Sequence, residues 1–136
     1  MTVQSLAPAL ADIDGLSKET LERLNRAGLK TPPILLKRTA TPERLTALAK
    51  EIDLSADELV QAREAARLVD LDGLGADHYN ALRRLGIARV EDLARHDPSA
   101  LLPRWQAAAI VRPPTLAQVA LWVRAARRAS ASAPAL

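Results

Sequence analysis

The segment Asp70–His78, which reads DLDGLGADH, has the residue spacing with the clearest chemical meaning. Gly73 and Gly75 stand one residue apart, just before a predicted helix. Glycine tolerates positive φ and lets the backbone approach a ligand closely. The first N–H groups of a helix attract anions such as phosphate. The segment therefore predicts either a tight turn of the chain or an anion site, and the residues alone leave both interpretations open.

The sequence lacks the residues that other kinds of protein chemistry require. The chain has no cysteine, which excludes disulfides, cysteine zinc sites and thiol catalysis. His78 and His96 are the only histidines and lack ligand spacing, so we expect both on helix surfaces, with His78 hydrogen-bonded in the first turn of its helix. No catalytic Ser/His/Asp arrangement, phosphate-binding loop or carboxylate pair is visible. We expect no enzymatic activity, no metal and no cofactor.

Positive charge is concentrated in the C-terminal half of the chain, whose formal net charge is +3. Residues 1–68 carry ten basic and ten acidic side chains, whereas residues 69–136 carry nine basic and six acidic ones. From Pro98 onward there are five arginines and no acid. A local basic face can attract phosphate, although an ordinary solvated helix face explains the same pattern.

No segment has the pattern of a membrane span or an export signal. No apolar run approaches the roughly 20 residues that a transmembrane helix needs. The N-terminal segment lacks a basic region, and Pro8 interrupts its short apolar stretch. We therefore expect a cytoplasmic protein of bacterial type that has no membrane partner.

The chain repeats itself with a constant spacing of 58 residues, the distance from Gly15 to Gly73. Segment 13–31 aligns on segment 71–89 without a gap. Two of the matched pairs are glycines, and the others are apolar residues or aspartates. Such self-similarity predicts two copies of one structural unit.

Composition and local signals both predict an all-α fold. Leu and Ala are abundant, aromatic residues make up only 2% of the chain, and no alternating strand pattern occurs. Capping residues, prolines at first helical positions and glycines at helix ends predict eight helices. They begin at Ser17, Thr31, Thr41, Ser55, Gly75, Arg89, Asp97 and Thr115, and the last ends at about Arg128.

Two longer helices, 55–69 and 115–128, are expected to close the core. Their apolar stripes are Leu59, Ala62, Ala66 and Val69 in the first helix and Leu116, Val119, Val123 and Ala126 in the second. We expect Trp105 and Trp122 to fill the core beside them, while the arginines near Trp122 face water. The final segment, 129–136, has no periodic apolar residues and is predicted to be disordered.

The glycine-centred segments resemble the helix-hairpin-helix motif. One copy reads EAARLVDLDGLGADHYNALRRLGI and the other reads LADIDGLSKETLERLNRAGL. With the helices that follow each copy, residues 5–128 resemble a bacterial family of unknown function built from tandem helix-hairpin-helix repeats. The resemblance implies two such units, 1–69 and 70–128, in one compact pseudo-symmetric domain.

Helix-hairpin-helix proteins generally bind DNA without sequence specificity, and the resemblance implies which residues do so here. Backbone N–H groups of each hairpin and of the helix after it hold a phosphate. The implied contacts are Gly15, Ser17 and Lys18 in the first copy and Gly73, Gly75 and Ala76 in the second. The arginines expected to supply charge are Arg83, Arg84, Arg89, Arg124, Arg127 and Arg128.

Both copies depart from the DNA-binding pattern. Ser17 stands where the second glycine belongs in the first copy, and Asp77 and His78 stand where a basic residue is usual in the second. Acidic residues near both hairpins oppose a phosphate, and salt screens them only in part. Two hypotheses therefore stay open: a sequence-nonspecific nucleic-acid-binding module, and a protein–protein adaptor whose hairpins only turn the chain.

Overall fold

The computed structural model describes residues 10–13, 15–109 and 112–132. These residues form eight α-helices and two short 3-10 turns and contain no β-strand, which confirms the all-α prediction. The helices are α1 (Lys18–Arg26), α2 (Pro32–Arg38), α3 (Pro42–Glu51), α4 (Ala56–Val69), α5 (Gly75–Arg84), α6 (Val90–Ala94), α7 (Pro98–Ala108) and α8 (Leu116–Ser132). We call residues 10–13 and 15–17 the first loop and residues 70–74 the second loop.

The helices begin where the capping residues predict. The side chains of Ser17, Thr41 and Asp97 each accept a hydrogen bond from the backbone N–H three residues further on. Ser55 and Glu58 form a capping box, in which each side chain accepts a hydrogen bond from the backbone N–H of the other. All eight predicted helices are present, each within one residue of its predicted start.

The two longest helices, α4 and α8, organise the core. Helix α4 packs against α2, α3 and α5, and α8 packs against α6, α7 and the second loop. The predicted stripe of α4 is entirely buried. The stripe of α8 is buried except for Leu116, which is 47% exposed, so its prediction as core was wrong. Helical spacing places a residue on a face but does not say where along the helix the neighbouring elements end.

Three rings from α5, α7 and α8 form one cluster in the core. The ring centroid of Trp122 lies 5.3 Å from that of Trp105 and 4.9 Å from that of His78. Both tryptophans are buried, as predicted. His78 is half-buried between them instead of lying on the surface, and its Nδ1 is 2.9 Å from the carbonyl oxygen of Leu74. The expectation of a surface histidine failed because this side of α5 faces both indoles.

The second loop turns through left-handed backbone, which confirms the predicted tight turn. The φ angles of Asp72, Gly73 and Gly75 are +45°, +74° and +85°. Nothing lies within 4 Å of the position that a Cβ would take at either glycine. The conformation, and not a lack of space, therefore favours glycine here. The indole N–H of Trp122 donates to the carbonyl oxygen of Asp72 at 3.1 Å, which ties this loop to α8.

Helix α8 continues beyond its predicted end at Arg128. It reaches Ser132, so residues 129–132 are helical and not disordered as predicted. Ala129 packs against the core, and alanine is the strongest helix former, so the helix goes on after the apolar stripe has ended. Residues 1–9 of the predicted first unit and residues 133–136 of the predicted tail lie outside the described residues.

Candidate functional site

The first loop is held by α5. Asn80 donates from Nδ2 to the carbonyl oxygen of Asp12 at 3.1 Å. The guanidinium group of Arg83 lies over the α-carbon of Gly15, where a Cβ would stand 2.5 Å from Cζ and 2.7 Å from both terminal nitrogens. Gly15 also has a φ of +91°. Two predicted site residues that are distant in sequence, Gly15 and Arg83, therefore meet in the fold, and the contact depends on the missing side chain of glycine.

Beside this contact lies a cleft of about 540 Å³ between the first loop, α4, α5 and the segment before α6. Gly15, Arg83 and Arg89 all line it, so three of the predicted site residues share one concave surface. Its other polar lining residues include Asp57, Gln61, Glu64 and Tyr79.

A buried ion cluster centred on α4 reaches the cleft through Glu64. Arg63 and Glu64 are only 6% and 5% exposed, and their side chains pair at 2.7 Å. Glu64 also pairs with Arg67 at 2.8 Å, and Arg67 reaches Glu91 of α6 at 3.3 Å. Arg63 donates from Nε to the carbonyl oxygen of Thr39, just after α2, at 3.2 Å. The cluster thus connects α2, α4 and α6.

Burial shifts the ionisation of several groups in this region. Burial lowers the pKa of Arg63, although the charge of Glu64 acts in the opposite direction. Burial acts to raise the pKa of Glu91, but the hydrogen bond from its backbone and the neighbouring Arg67 outweigh it, so that pKa is lowered. At the second loop, partial burial raises the pKa of the Asp70 carboxyl, although the residue as a whole is exposed. The arginines of the cluster stay charged at neutral pH, because guanidinium groups do not lose their proton in proteins.

The start of α1 adds positive charge beside the first loop. Lys18 is the first residue of α1 and is exposed, with no ion pair to another described residue. The hydroxyl group of Ser17 caps the helix: it accepts from the backbone N–H of Thr20 at 3.1 Å and donates to Oγ1 of the same residue at 2.9 Å. Ser17 therefore serves the helix through its side chain and could meet a ligand only through its backbone.

The second loop has the opposite electrostatic character. Gly73 is exposed, but Ala76 is buried. Asp70, Asp72 and Asp77 are all exposed around them and form no ion pair with a described residue. The N-terminus of α5 has no side-chain cap, yet these carboxylates oppose the approach of a phosphate to it.

Two of the remaining arginines donate hydrogen bonds to carbonyl oxygens at helix C-termini. Arg84 donates to the final carbonyl oxygen of α7 at 2.8 Å, and Arg127 donates to two carbonyl oxygens at and just beyond the end of α6, at 3.0 and 3.1 Å. Cations are favourable at these positions because helix C-termini carry partial negative charge. Arg124 and Arg128 are exposed on α8, as predicted, and neither lines the cleft.

Arg63, Glu64 and Tyr79 were not predicted from the sequence to belong to this region. Arg63 and Glu64 lie between buried alanines of α4. A charged pair among apolar helix positions was the sequence signal that could have predicted a buried ion pair. Tyr79 is the only tyrosine and is 1% exposed. No local signal distinguishes a tyrosine at a cleft from one sealed in a core, because helical spacing does not reveal what lies across from a residue.

Comparison with known proteins identifies a family but no activity. A family model described as Domain of unknown function (DUF4332) matches residues 14–129. No curated protein and no solved structure matches the chain. Within the described part of the chain, no helix is both long and apolar enough to cross a membrane.

Proposed function

The chain belongs to the family Domain of unknown function (DUF4332), and from its own residues we propose that it is a non-catalytic module that binds nucleic acid. The contact is with the phosphate backbone and does not depend on base sequence. One observation carries the proposal: Arg83 lies over Gly15, which puts a cation from α5 beside the loop that precedes α1. Helix N-termini and guanidinium groups are the common protein partners of phosphate.

We infer that each loop and the helices around it form a helix-hairpin-helix unit, over 1–69 and 70–128. The order of helices supports this inference, since α1 to α4 follow the first loop as α5 to α8 follow the second. In both copies a glycine with positive φ precedes the first helix, and a side chain from a later helix donates to a carbonyl oxygen of the loop.

The proposal assigns the phosphate contact to the first loop in preference to the second. Gly15 and the backbone of Ser17 lie beside two exposed cations, Lys18 and Arg83. Three carboxylates without an ion pair to a described residue surround the second loop, so Gly73 and Gly75 shape the chain there. The exposed arginines of α8 add attraction at longer range.

Fluorescence anisotropy with a labelled duplex of about 20 base pairs tests this function, because counterion release makes backbone binding weaken steeply as salt increases. Lys18→Gln/Arg83→Gln is expected to lower the affinity about tenfold at low salt and to reduce the salt slope by about 2. The matched control, Lys37→Gln/Arg104→Gln, removes two exposed cations that neither belong to the first loop nor line the cleft beside it, and leaves most of the binding intact. Absence of binding at low salt, or binding that ignores salt, would refute the proposal.

A protein–protein adaptor is the second candidate, and the surface of α8 favours it. Leu116 and Leu121 are 47% and 40% exposed, and among the described residues the only other large exposed hydrophobic side chain is Ile34. If this function is correct, affinity capture retains one specific partner, Leu121→Gln releases it, and duplex DNA changes neither result.

A further inference from the structure

The cleft beside the first loop has the dimensions and wall chemistry of a small-ligand site. Its volume of about 540 Å³ lies within the usual range of ligand pockets, roughly 300–1,000 Å³. Leu16, Val60, Ala65 and Ala88 provide apolar wall, and charged or polar side chains provide most of the rest. Such sites combine apolar surface with a few placed polar groups, which a flat backbone-binding surface does not need.

Arg83 contributes a guanidinium group that is positioned but unpaired. The group lies against the α-carbon of Gly15, and both residues line the cleft. It makes no ion pair or hydrogen bond with another described residue, so its N–H donors are available to a ligand.

Arg89 contributes a second cation, although a carboxylate lies nearby. Its Nε is 3.9 Å from Oε1 of Glu64, beyond hydrogen-bond distance, and its side chain is 54% exposed. Glu64 is already paired at 2.7 and 2.8 Å with Arg63 and Arg67, which offset its charge. Asp57 is then the one lining carboxylate without an ion pair among the described residues. The two guanidinium groups of Arg83 and Arg89 outnumber it in the cleft.

Tyr79 adds a hydroxyl group to the same wall. Its ring is buried, but its hydroxyl oxygen is still reached by solvent. That oxygen has no hydrogen-bond partner among the described residues. A buried tyrosine normally pairs its hydroxyl group. This one lines a cleft that also contains Arg83, which has no partner among the described residues, and Arg89, whose ion pair with Glu64 is long at 3.9 Å.

We propose that the cleft binds a phosphate monoester, either the terminal phosphate of a nucleic-acid strand or a free nucleoside monophosphate. The choice of a nucleic-acid phosphate rests on the proposed function. Arg83 and Arg89 bind the phosphate oxygens, Tyr79 donates a hydrogen bond to one of them, and the sugar and base lie along Leu16 and Val60.

The charge of the ligand separates a monoester from the phosphodiester of a duplex backbone. A monoester carries between about −1.5 and −2 charges at pH 7, whereas a diester carries one. Two guanidinium groups outweigh the carboxylate of Asp57, and each can bind two oxygens of a monoester at once. A strand end or a free nucleotide can enter a concave cleft. A phosphodiester inside a duplex is kept out by the nucleotides on either side of it.

The test compares one labelled single strand of about ten nucleotides in three forms: unphosphorylated, 5′-phosphorylated and 3′-phosphorylated. Adenosine monophosphate and adenosine serve as unlabelled competitors. At least one phosphorylated form is expected to bind about tenfold more tightly than the unphosphorylated strand, and adenosine monophosphate is expected to displace it where adenosine does not. Arg83→Gln and Arg89→Gln each abolish the difference, Tyr79→Phe reduces it, and the exposed control Arg104→Gln preserves it.

The outcomes distinguish this site from the proposed function. If adenosine monophosphate perturbs the amide chemical shifts of Gly15, Leu16 and Ala88 but no strand binds, the cleft is supported as a nucleotide site and nucleic-acid binding is refuted. Equal, salt-sensitive binding of all three strands, not displaced by the mononucleotide, overturns the cleft and leaves the proposed function standing. A phosphate preference that survives both arginine substitutions also overturns the cleft. If a variant unfolds, the amide chemical shifts of the unaltered protein test the site instead. Adenosine monophosphate is expected to perturb the amides of Gly15, Leu16 and Ala88, and unchanged shifts would overturn the cleft as its binding site.

Discussion

At the scale of single residues, the contact between Gly15 and Arg83 is the feature on which the proposals depend most. Gly15 has positive φ, and a Cβ there would collide with the guanidinium group. Gly28 has a similar φ, +80°, but open space around it. Comparing substitutions at Gly15 and Gly28 therefore separates the energetic cost of the left-handed backbone from the displacement of Arg83.

Gly15→Ala and Gly28→Ala are each expected to lower the free energy of unfolding by about 1 kcal/mol, because both force an L side chain into left-handed backbone. Gly15→Ala also displaces Arg83 and lowers nucleic-acid affinity, whereas Gly28→Ala does not. Thermal unfolding by circular dichroism and anisotropy titrations measure the two effects. Equal loss of affinity in both variants would show that the arginine contact is irrelevant to binding.

The Asp70 carboxyl provides a test of pH dependence. Burial raises its pKa in the folded state, so folding favours the protonated form, and its stabilising contribution is lost as pH rises through that folded pKa. At pH 7 the carboxylate is therefore a small net cost. Asp70→Asn is expected to raise the Tm slightly at pH 7 and to change it little below pH of about 4, where the carboxyl is protonated in both states. A larger gain at low pH than at pH 7 would contradict this sign.

At the scale of elements, each loop is stabilised by a helix that comes later in the sequence. Helix α5 holds the first loop through Asn80, and α8 holds the second through Trp122. The helices themselves form from local signals, but these two hydrogen bonds set how each loop sits on the core.

Trp122→Phe is expected to destabilise the protein by about 1 kcal/mol more than Trp105→Phe. Both substitutions remove similar buried volume, but only Trp122 has an indole N–H that donates to a loop carbonyl oxygen, since that of Trp105 has no partner among the described residues. Urea titrations of both variants measure the difference. Indistinguishable losses would mean that the hydrogen bond to Asp72 contributes nothing to stability.

At the scale of the whole molecule, the ion cluster on α4 connects this helix to α6 and to the segment before it. Glu64 and Arg67 lie on α4, Glu91 lies on α6, and Arg89 directly precedes α6. A buried cluster of this kind contributes little net stability when intact, but it is costly to break, because a partner is left charged and unpaired.

Glu64→Gln is therefore expected to lower the free energy of unfolding by about 3 kcal/mol, since Arg63 and Arg67 lose their shared carboxylate. Glu43→Gln on the exposed surface of α3 is the matched control and is expected to change stability by less than about 0.5 kcal/mol. Denaturant unfolding compares the two. A cost for Glu64→Gln no larger than that of the control would show that the cluster is dispensable.

The prediction of helices succeeded because their signals act over three or four residues. A capping side chain meets the N–H groups of its own helix, and a left-handed glycine acts on its own peptide. The starts of α3 and α4, the turn at Gly73 and the burial of both tryptophans follow from such signals and from composition. Leu116 and residues 129–132 were assigned wrongly because their state depends on what neighbouring elements cover.

The sequence by itself determined an all-α chain with two similar halves, the positions of its helices and its tight turns, because these depend on local backbone preference and on hydrophobic spacing. It also supplied the arginines, but not their grouping. Only the tertiary structure decided that Arg83 and Arg89 share a cleft with Gly15, that Arg84 and Arg127 close helix ends, and that α4 contains a buried ion cluster. These features join residues far apart in the chain, and contacts of that kind arise only when the helices pack.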